Sequence, residues 1–574
     1  MRPPRDVLVP LLAPVLALLP GPADYRGVGR SWPRDLAAGL TVGVVALPLA
    51  LAFGVATGVG AAPGLVTAVV AGAVAAVFGG SHLQVSGPTG AMTVVLVPLV
   101  ASRGPDVVYP VAVMAGLFVV VAALLRLGRL LAFVPWPLIE GFTLGIAVVI
   151  VAQQVPAALG VPAPGTDNAA WGAALALRAA AADPQWEVLG LLAVTLLLTA
   201  LLPRLHRAVP ASLVAVVVVT LLAELVVPQV ARIGALPSSL PLPSVPDLTG
   251  LPDLVLPALV VAFLAGLESL LSAKVADGMS DRPPHDPDRE LFGQGLANIA
   301  SGFAGGLPAT GAIARTAVNA RAGASTRLAA LTHAAVLAVV VYAGAGLVGR
   351  IPLVALAGVL VVTAYRMVER RSTVSVLRST RGDAAVLVVT AVATVALDLV
   401  LAVVLGLGLA ALLALVHLSR SARAVPEPLA DDGLGTQEEH RLLSDHVLTY
   451  RLDGPLFFAA SSRFLAELTS ISDVRVVILR LGAVGVLDAT GARALGEVVE
   501  QLAGRGVTVL LKGASAEHTR LLTAVGTLGP VLARGHVFAD LPAAVAHARK
   551  HVARERHRDD GGTSPATAGP TLSG

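Results

Sequence analysis

The chain has 574 residues, 55% hydrophobic and only 14% charged, with a formal net charge of +4. Soluble domains carry roughly a quarter charged residues, so most of this length is excluded from the ordinary soluble class. It has no cysteine, which excludes a disulfide framework, cysteine–zinc sites and thiol chemistry. Its basic residues stand scattered at the ends of apolar runs, which argues against nucleic-acid binding.

In chain order, Arg2 and Arg5 precede an apolar run from Val7 to Leu19, and Gly21, Pro22 and Ala23 offer small side chains after it, the marks of a signal peptide. Pro10 and Pro14 break that run. The aromatic and basic residues that follow, Tyr25, Arg26, Arg30, Trp32 and Arg34, suit an interfacial segment on the cytosolic leaflet. We read residues 1–34 as this segment, 35–420 as a transmembrane domain, 421–440 as a linker, 441–556 as a soluble domain and 557–574 as a disordered tail.

A helical span takes about 20 apolar residues. Candidate spans lie at 35–53, 63–80, 88–102, 107–127, 133–155, 187–202 and 209–227. A second group lies at 252–275, 289–305, 309–320, 327–349, 351–365, 384–398 and 400–419. Cytosolic loops are enriched in Lys and Arg. With the N-terminus in the cytosol, the inner segments hold Arg126, Arg129, Arg204, Arg207, Arg366, Arg370, Arg371, Arg378 and Arg381. The outer segments hold only Arg103, Arg178, Arg232 and Arg350. The even span count then puts the soluble domain in the cytosol as well.

Two groups of seven predict an inverted repeat, so the fold expected is a polytopic helical protein of about 14 spans in a 7+7 arrangement. Such folds bind substrate on broken helices at matching places of the two halves. Ser86-Gly87-Pro88-Thr89-Gly90-Ala91 opens a short apolar run in the first half, and Leu307-Pro308-Ala309-Thr310-Gly311-Ala312 does so in the second. Proline fits the first turn of a helix, and glycine lets backbone approach a ligand. Each helix N-terminus carries roughly half a positive charge, so two facing ends make an anion site without any side chain. Thr89 and Thr310 add hydroxyl donors. The bland alternative is a pair of packing kinks, but the repetition of Pro, Thr, Gly and Ala favours the site. Glu268 and Arg315 are charges within spans, expensive in lipid and functional by default. Arg315 needs a counter-ion: Glu268, the substrate, or each in turn. A permanent structural Glu268–Arg315 pair is the competing reading. Glu140, Asn298 and Asn319 read as helix–helix glue or half-helix caps.

These stretches resemble the SulP anion permeases (solute carrier family 26). The resemblance rests on residues 35–42, Ser86-Gly87-Pro88-Thr89, residues 133–143 beginning Phe133-Val134-Pro135-Trp136-Pro137, residues 308–316, and residues 351–360 beginning Ile351-Pro352-Leu353. It implies core and gate subdomains, an anion held between the third and tenth spans, and elevator-like motion. The anion-binding residues it implies are Ser86, Gly87, Thr89, Gly90, Ala91, Thr310, Gly311, Ala312 and Arg315. It implies Glu268, with Ser272 one turn on, as the site of proton or cation coupling. It further implies secondary active transport of sulfate, bicarbonate or a small dicarboxylate by proton- or sodium-coupled symport, in a homodimer in the cell (inner) membrane. One position departs from the family pattern: Leu49 follows Pro48 where many members have Gln, which makes the pocket less polar.

In the soluble region, 446–452, 474–480 and 507–512 read as strands and 460–469 and 490–504 as helices, a small α/β domain. Asp488 or Thr490 can cap the helix that follows. The region resembles a STAS domain, in which the residue matching Thr490 is phosphorylated by a partner kinase. That implies Asp488 and Thr490 as regulatory residues and a cytosolic protein partner. No metal cluster, nucleophile–base pair or phosphate-cradling loop argues for an enzyme or a cofactor. The remaining alternatives are an exchanger or channel of the same fold, a nucleobase permease, against which the STAS tail and Arg315 count, and a membrane sensor signalling through the STAS domain.

Overall fold

The computed structural model describes residues 18–25, 27–129, 134–166, 168–205, 209–247, 250–280, 283–397, 399–421, 423–427, 446–457, 474–526 and 529–560. Arg2, Arg5, residues 7–17, Arg26, Phe133, Arg207, most of the stretch read as linker, the helix expected at 460–469 and the tail from 561 lie outside the described residues. The chain divides into two compact units, Met1–Ala410 and Ala411–Gly574.

The first unit is helical. In order it contains α1 (Val28–Ala56), α2 (Ala61–Phe78), β1 (Ser86–Gly87), α3 (Gly90–Arg103), α4 (Val108–Leu124), α5 (Trp136–Leu159), α6 (Ala169–Ala182), α7 (Trp186–Leu205) and α8 (Ala211–Val226). The second half follows with α9 (Leu251–Asp277), α10 (Pro287–Phe303), β2 (Thr310–Gly311), α11 (Ile313–Arg321), α12 (Leu328–Val348), α13 (Leu353–Met367), α14 (Arg370–Arg378), α15 (Arg381–Ala396) and α16 (Leu399–Ser421), whose residues from Ala411 on are counted in the second unit. A helix stands in each of the fourteen expected spans. Among the described residues, eight helices are long and apolar enough to cross a membrane. Two helices were not expected. Helix α6 has 14 residues interrupted by Arg178, too short to read as a crossing, and Asn168 caps it by accepting from the Trp171 N–H. Helix α14 has no apolar run: its basic residues face out, and only Ser372, Thr373 and Val376 are buried.

Packing separates the helices into two groups. Helices α1, α2, α4, α9, α10 and α12 pack on one another, and α5, α7, α13 and α15 form the other group. Small residues allow the close approaches. A Cβ added to Gly116 of α4 would meet the Gly295 carbonyl of α10 at 2.6 Å, and one on Gly293 would meet the Gly79 N at 2.3 Å. Helices α3 and α11 have 14 and 9 residues. At 1.5 Å per residue they reach about 21 Å and about 14 Å, less than the roughly 30 Å hydrocarbon layer. The extended backbone ahead of them is satisfied by a ladder: β1 and β2 run antiparallel, with Ser86 opposite Gly311 and Gly87 opposite Thr310.

The second unit has one five-stranded sheet in the order β3 (Arg423–Glu427), β4 (Val447–Asp453), β5 (Val476–Arg480), β6 (Thr508–Lys512), β7 (Val537–Phe538). The β3–β4 pair is antiparallel and the rest are parallel. Strand β3 falls within the stretch read as linker. The side-chain period of two splits the central strands between two layers. Val477, Leu479, Val509 and Leu511 pack under α17 (Ala489–Gly504) and α18 (Ala516–Ala524), joined by Val531 of α19 (Gly529–Ala533). Val476, Ile478 and Leu510 pack on α20 (Leu541–Asp560). Helix α20 continues through 557–560, residues read as tail.

Candidate anion site

The ladder brings the two sequence motifs face to face, so that α3 and α11 begin on either side of one point. Neither helix has a side-chain cap: Thr89 and Ala312 occupy the cap positions, and no side chain bonds their first N–H groups. Those donors are therefore left for another acceptor. The Ala312 N–H donates to the Val85 carbonyl at 2.9 Å, and the Val85 N–H donates to the Thr316 hydroxyl at 3.1 Å, which extends the ladder on its inner side.

Both threonine hydroxyls have the same partner. Thr89 Oγ1 donates to Glu268 Oε2 at 2.9 Å, and Thr310 Oγ1 donates to that oxygen at 2.7 Å. Glu268 is partly exposed, whereas Thr89, Thr310, Ser86 and Arg315 are buried. Helix α9 supplies the carboxylate and, one residue on, the Ser269 hydroxyl that accepts from the Gly311 N–H at 2.9 Å. Ser272 is not a partner of Glu268; its hydroxyl pairs with Thr316 Oγ1 at 2.9 Å.

Arg315, in the first turn of α11, reaches across to the other half. Its Nη2 donates to the Pro88 carbonyl, and its Nη1 has no hydrogen-bond partner. Among the described residues Arg315 forms no salt bridge with Glu268. The permanent ion pair weighed above is therefore not the arrangement here. Gly87 makes room for the guanidinium: a Cβ there would lie 2.4 Å from Nη1. Gly90 sits against Ile150 of α5, where a Cβ would come within 2.4 Å of Cδ1, and Ala91 is fully buried. Leu49 is buried in the same apolar cluster as Phe53 and Ile150.

A second tier of polar side chains fixes the ladder. Asn298 of α10 binds Ala309 twice, accepting its N–H at 2.8 Å and donating to its carbonyl at 2.9 Å. Thr67 of α2 accepts from the Leu307 N–H at 2.6 Å. Asn319 donates to the Leu83 carbonyl at 2.8 Å. Asn298 and Asn319 thus act as the glue that their sequence positions suggest. Glu140 ties α5 to α14 through Ser372 and Thr373.

Sequence reasoning missed four residues here. Gln294 of α10 donates to Ser86 Oγ at 2.6 Å. Ser269 holds β2, as described. Gln84 packs on Gly311 so closely that a Cβ at Gly311 would fall 1.7 Å from Nε2. His333 of α12 is fully buried, with no hydrogen-bond partner for either ring nitrogen, near Gly72 and β1. A lone histidine in an apolar run was a visible signal. Of the other three, Gln84 and Gln294 sit in stretches without an apolar period, and Ser269 is a small hydroxyl in an apolar span beside the more conspicuous Glu268. In the second unit, Asp488 is the cap, its carboxylate accepting from the Gly491 N–H at 2.7 Å, and Thr490 is exposed in the first turn of α17.

Comparison with known proteins gives the same picture. Residues 33–390 match the model of the sulfate permease family, and residues 442–544 match that of the STAS domain. YvdB of Bacillus subtilis is 33% identical, over 87% of this chain and 94% of that protein. The bicarbonate transporter BicA of Synechocystis is 32% identical, over 86% of this chain and 90% of that protein. The murine Slc26a9 anion transporter in its inward-facing state shares the fold with a TM-score of 0.82, covering 96% of each chain at 18% identity. With a helical unit built around two opposed half-helices and an α/β unit after it in the chain, the chain belongs to the sulfate permease family of membrane anion transporters and carries a C-terminal STAS domain.

Proposed function

We propose that this protein is a secondary active transporter of a small oxyanion (sulfate, bicarbonate or a small dicarboxylate), in which Glu268 couples anion binding to a proton or sodium ion. The observation that carries the proposal is the single Glu268 oxygen that accepts both Thr89 and Thr310. An ionised carboxylate there occupies the hydroxyls that would face an anion. It also repels the anion: two like charges about 4 Å apart interact by about 4 kcal/mol at an effective dielectric near 20, close to a thousandfold in affinity. Protonation, or a sodium ion against the carboxylate, removes that repulsion and returns the hydroxyls to the anion. The partial exposure of Glu268 suits access by a small cation. The two uncapped helix ends and the free Nη1 of Arg315 supply the positive field. In this reading Ser86, Gly87, Gly90, Ala91, Gly311 and Ala312 are backbone walls of the site, and Ser272 supports α11 through Thr316.

The rest of the proposal extends the same reading. The group built on α1, α2, α4, α9, α10 and α12 carries the site and slides against the group of α5, α7, α13 and α15. The protein acts as a homodimer in the cell membrane, with the STAS domain in the cytosol as a docking or regulatory module. Thr490, exposed at a helix N-terminus, is accessible to a kinase, and phosphate there would meet the favourable end of the helix dipole.

The test is flux in proteoliposomes. Uptake of labelled sulfate, bicarbonate and fumarate is measured with and without an imposed proton or sodium gradient, for wild type and Glu268→Gln. Gradient-driven uptake in the wild type, with the dependence lost in the variant while anion exchange persists, is the expected result. Unchanged gradient dependence in Glu268→Gln removes Glu268 from coupling. Wild-type flux indifferent to both gradients points to an exchanger or channel, and binding without flux to a sensor.

A further inference from the structure

The second unit carries three histidines that transport does not use. His547 and His551 are four residues apart on α20, so they share one helix face. His536 arrives from the other direction, immediately before β7, the edge strand of the sheet. The fold forces them together. Ala544, Ala548 and Val552 press α20 onto Val447, Val476, Ile478 and Leu510, and the alanines keep the helix close to the sheet. The adjacent face of α20 then meets the turn that enters β7. His536 is held in place there by its backbone, which donates to the Val531 carbonyl and accepts from the Leu511 N–H.

One potential ligand nitrogen from each histidine lies within 4.8 Å of the others. The Nε2 atoms of His547 and His551 are 3.2 Å apart. Two nitrogens bound to one tetrahedral ion at about 2.0–2.1 Å each stand about 3.3 Å apart, so this pair is already at ligand spacing. The ring centroids are 5.2, 5.4 and 5.0 Å apart in the three pairs. His536 is buried and the other two are half-buried, so the cluster is walled by the sheet and open on its outer side.

A packing explanation competes. The rings also stack edge to face, His547 lies 5.2 Å from Phe538, and one Nε2–H can donate to the other Nε2. That accounts for a pair of histidines on a helix. It does not account for a third, buried imidazole converging on them from the turn that enters β7, where apolar residues would pack better.

We propose that His536, His547 and His551 form a site for a divalent transition-metal ion, with zinc the best fit, that fastens α20 to the edge of the STAS sheet. Three imidazoles on a tetrahedral ion leave a fourth position for water or a partner's ligand. Imidazole donors suit zinc, copper and nickel and are poor for magnesium and calcium. The ligands must be neutral to bind.

The test uses the full-length protein in detergent, made without a histidine tag and stripped with a chelator. Zinc binding is titrated calorimetrically, and cobalt is bound as a spectroscopic probe whose visible absorption reports tetrahedral geometry. The expected result is one zinc per chain and a tetrahedral cobalt spectrum. Both signals should be lost, with zinc affinity down at least about 100-fold, in His547→Ala and in His551→Ala. Both positions are half-buried on a helix surface, so the variants should fold, and thermal unfolding without metal checks it. His518→Ala, distant in sequence, should bind as the wild type does. Zinc binding that is equal in wild type and both variants, or absent from the wild type, overturns the site and leaves the packing explanation.

Discussion

Glycine at 311 is where a single atom decides the site. Its N–H is held by Ser269, its position in the ladder is opposite Ser86, and Gln84 leaves no room beside it. A Cβ there would lie 1.7 Å from Gln84 Nε2 and 3.1 Å from the Ser269 Cα. The first contact is with the end of a flexible side chain and can be relieved; the second is with backbone. Gly311→Ala is expected to reduce anion uptake by at least about tenfold, since overpacking a tight core costs about 1–3 kcal/mol. Gly311→Ala with Gln84→Ala should recover part of the loss. Equal uptake by the single and double variants would show that Gln84 is not the obstruction.

At the scale of elements, buried carboxylates join helix ends that sequence separates widely. Asp35 of α1 accepts from the N–H groups of Ser325 and Thr326 at 2.7 and 3.1 Å, ahead of α12. Glu290 of α10 accepts from the N–H groups of Gly80 and Ser81 at 2.8 and 2.9 Å, past the end of α2. Asp24, before α1, takes a 2.7 Å bond from Arg289 and lies 3.6 Å from Arg327, whose guanidinium also caps the C-terminal carbonyls of α2. Burial pushes the Asp24 carboxyl up, but the Arg289 bond, the Gly21 N–H and the charges of Arg289 and Arg327 outweigh it and hold it at about 2. A carboxylate depressed in the folded state adds stability above its ordinary value of 3.8 and loses it as pH falls through about 2. Wild type should therefore unfold at a higher temperature than Asp24→Asn at pH 6, and the gap should close between about pH 4 and pH 2. A gap independent of pH would assign the effect to packing instead of charge.

For the whole molecule, the proposed placement of the N-terminus and the STAS domain in the cytosol rests on the sequence asymmetry of basic residues. The natural chain has no cysteine, so single introduced cysteines can be labelled without background. Ser102, exposed near the C-terminal end of α3, lies at the outer end of its span in this topology, and Gly485, exposed in the STAS domain, lies on the inside. A membrane-impermeant maleimide applied to intact cells should label Ser102→Cys at once and Gly485→Cys only after permeabilisation. Labelling of Gly485→Cys in intact cells would invert the topology and, with it, the direction in which the coupling gradient acts.

Hydrophobic periodicity and length located a helix for every expected span, because about 20 apolar residues have few alternatives in a bilayer. The same reading singled out Thr89, Thr310, Glu268 and Arg315 as candidates, since proline, glycine and charge stand out against an apolar background. It missed α14, whose Arg370 to Arg378 leaves no apolar run, and the second tier of Gln84, Ser269 and Gln294, which look like ordinary polar residues until β1 meets β2. Pairings such as Glu268 with both threonines, or Arg315 with Pro88 instead of Glu268, join atoms 42 to 227 residues apart, and no local pattern encodes such contacts. The three histidines were legible only as an i, i+4 pair plus a stray residue. By itself the sequence determined the class, the span pattern and the residues that lipid makes costly; the tertiary structure decided which of their donors and acceptors meet, because hydrogen bonds depend on distances that only packing sets.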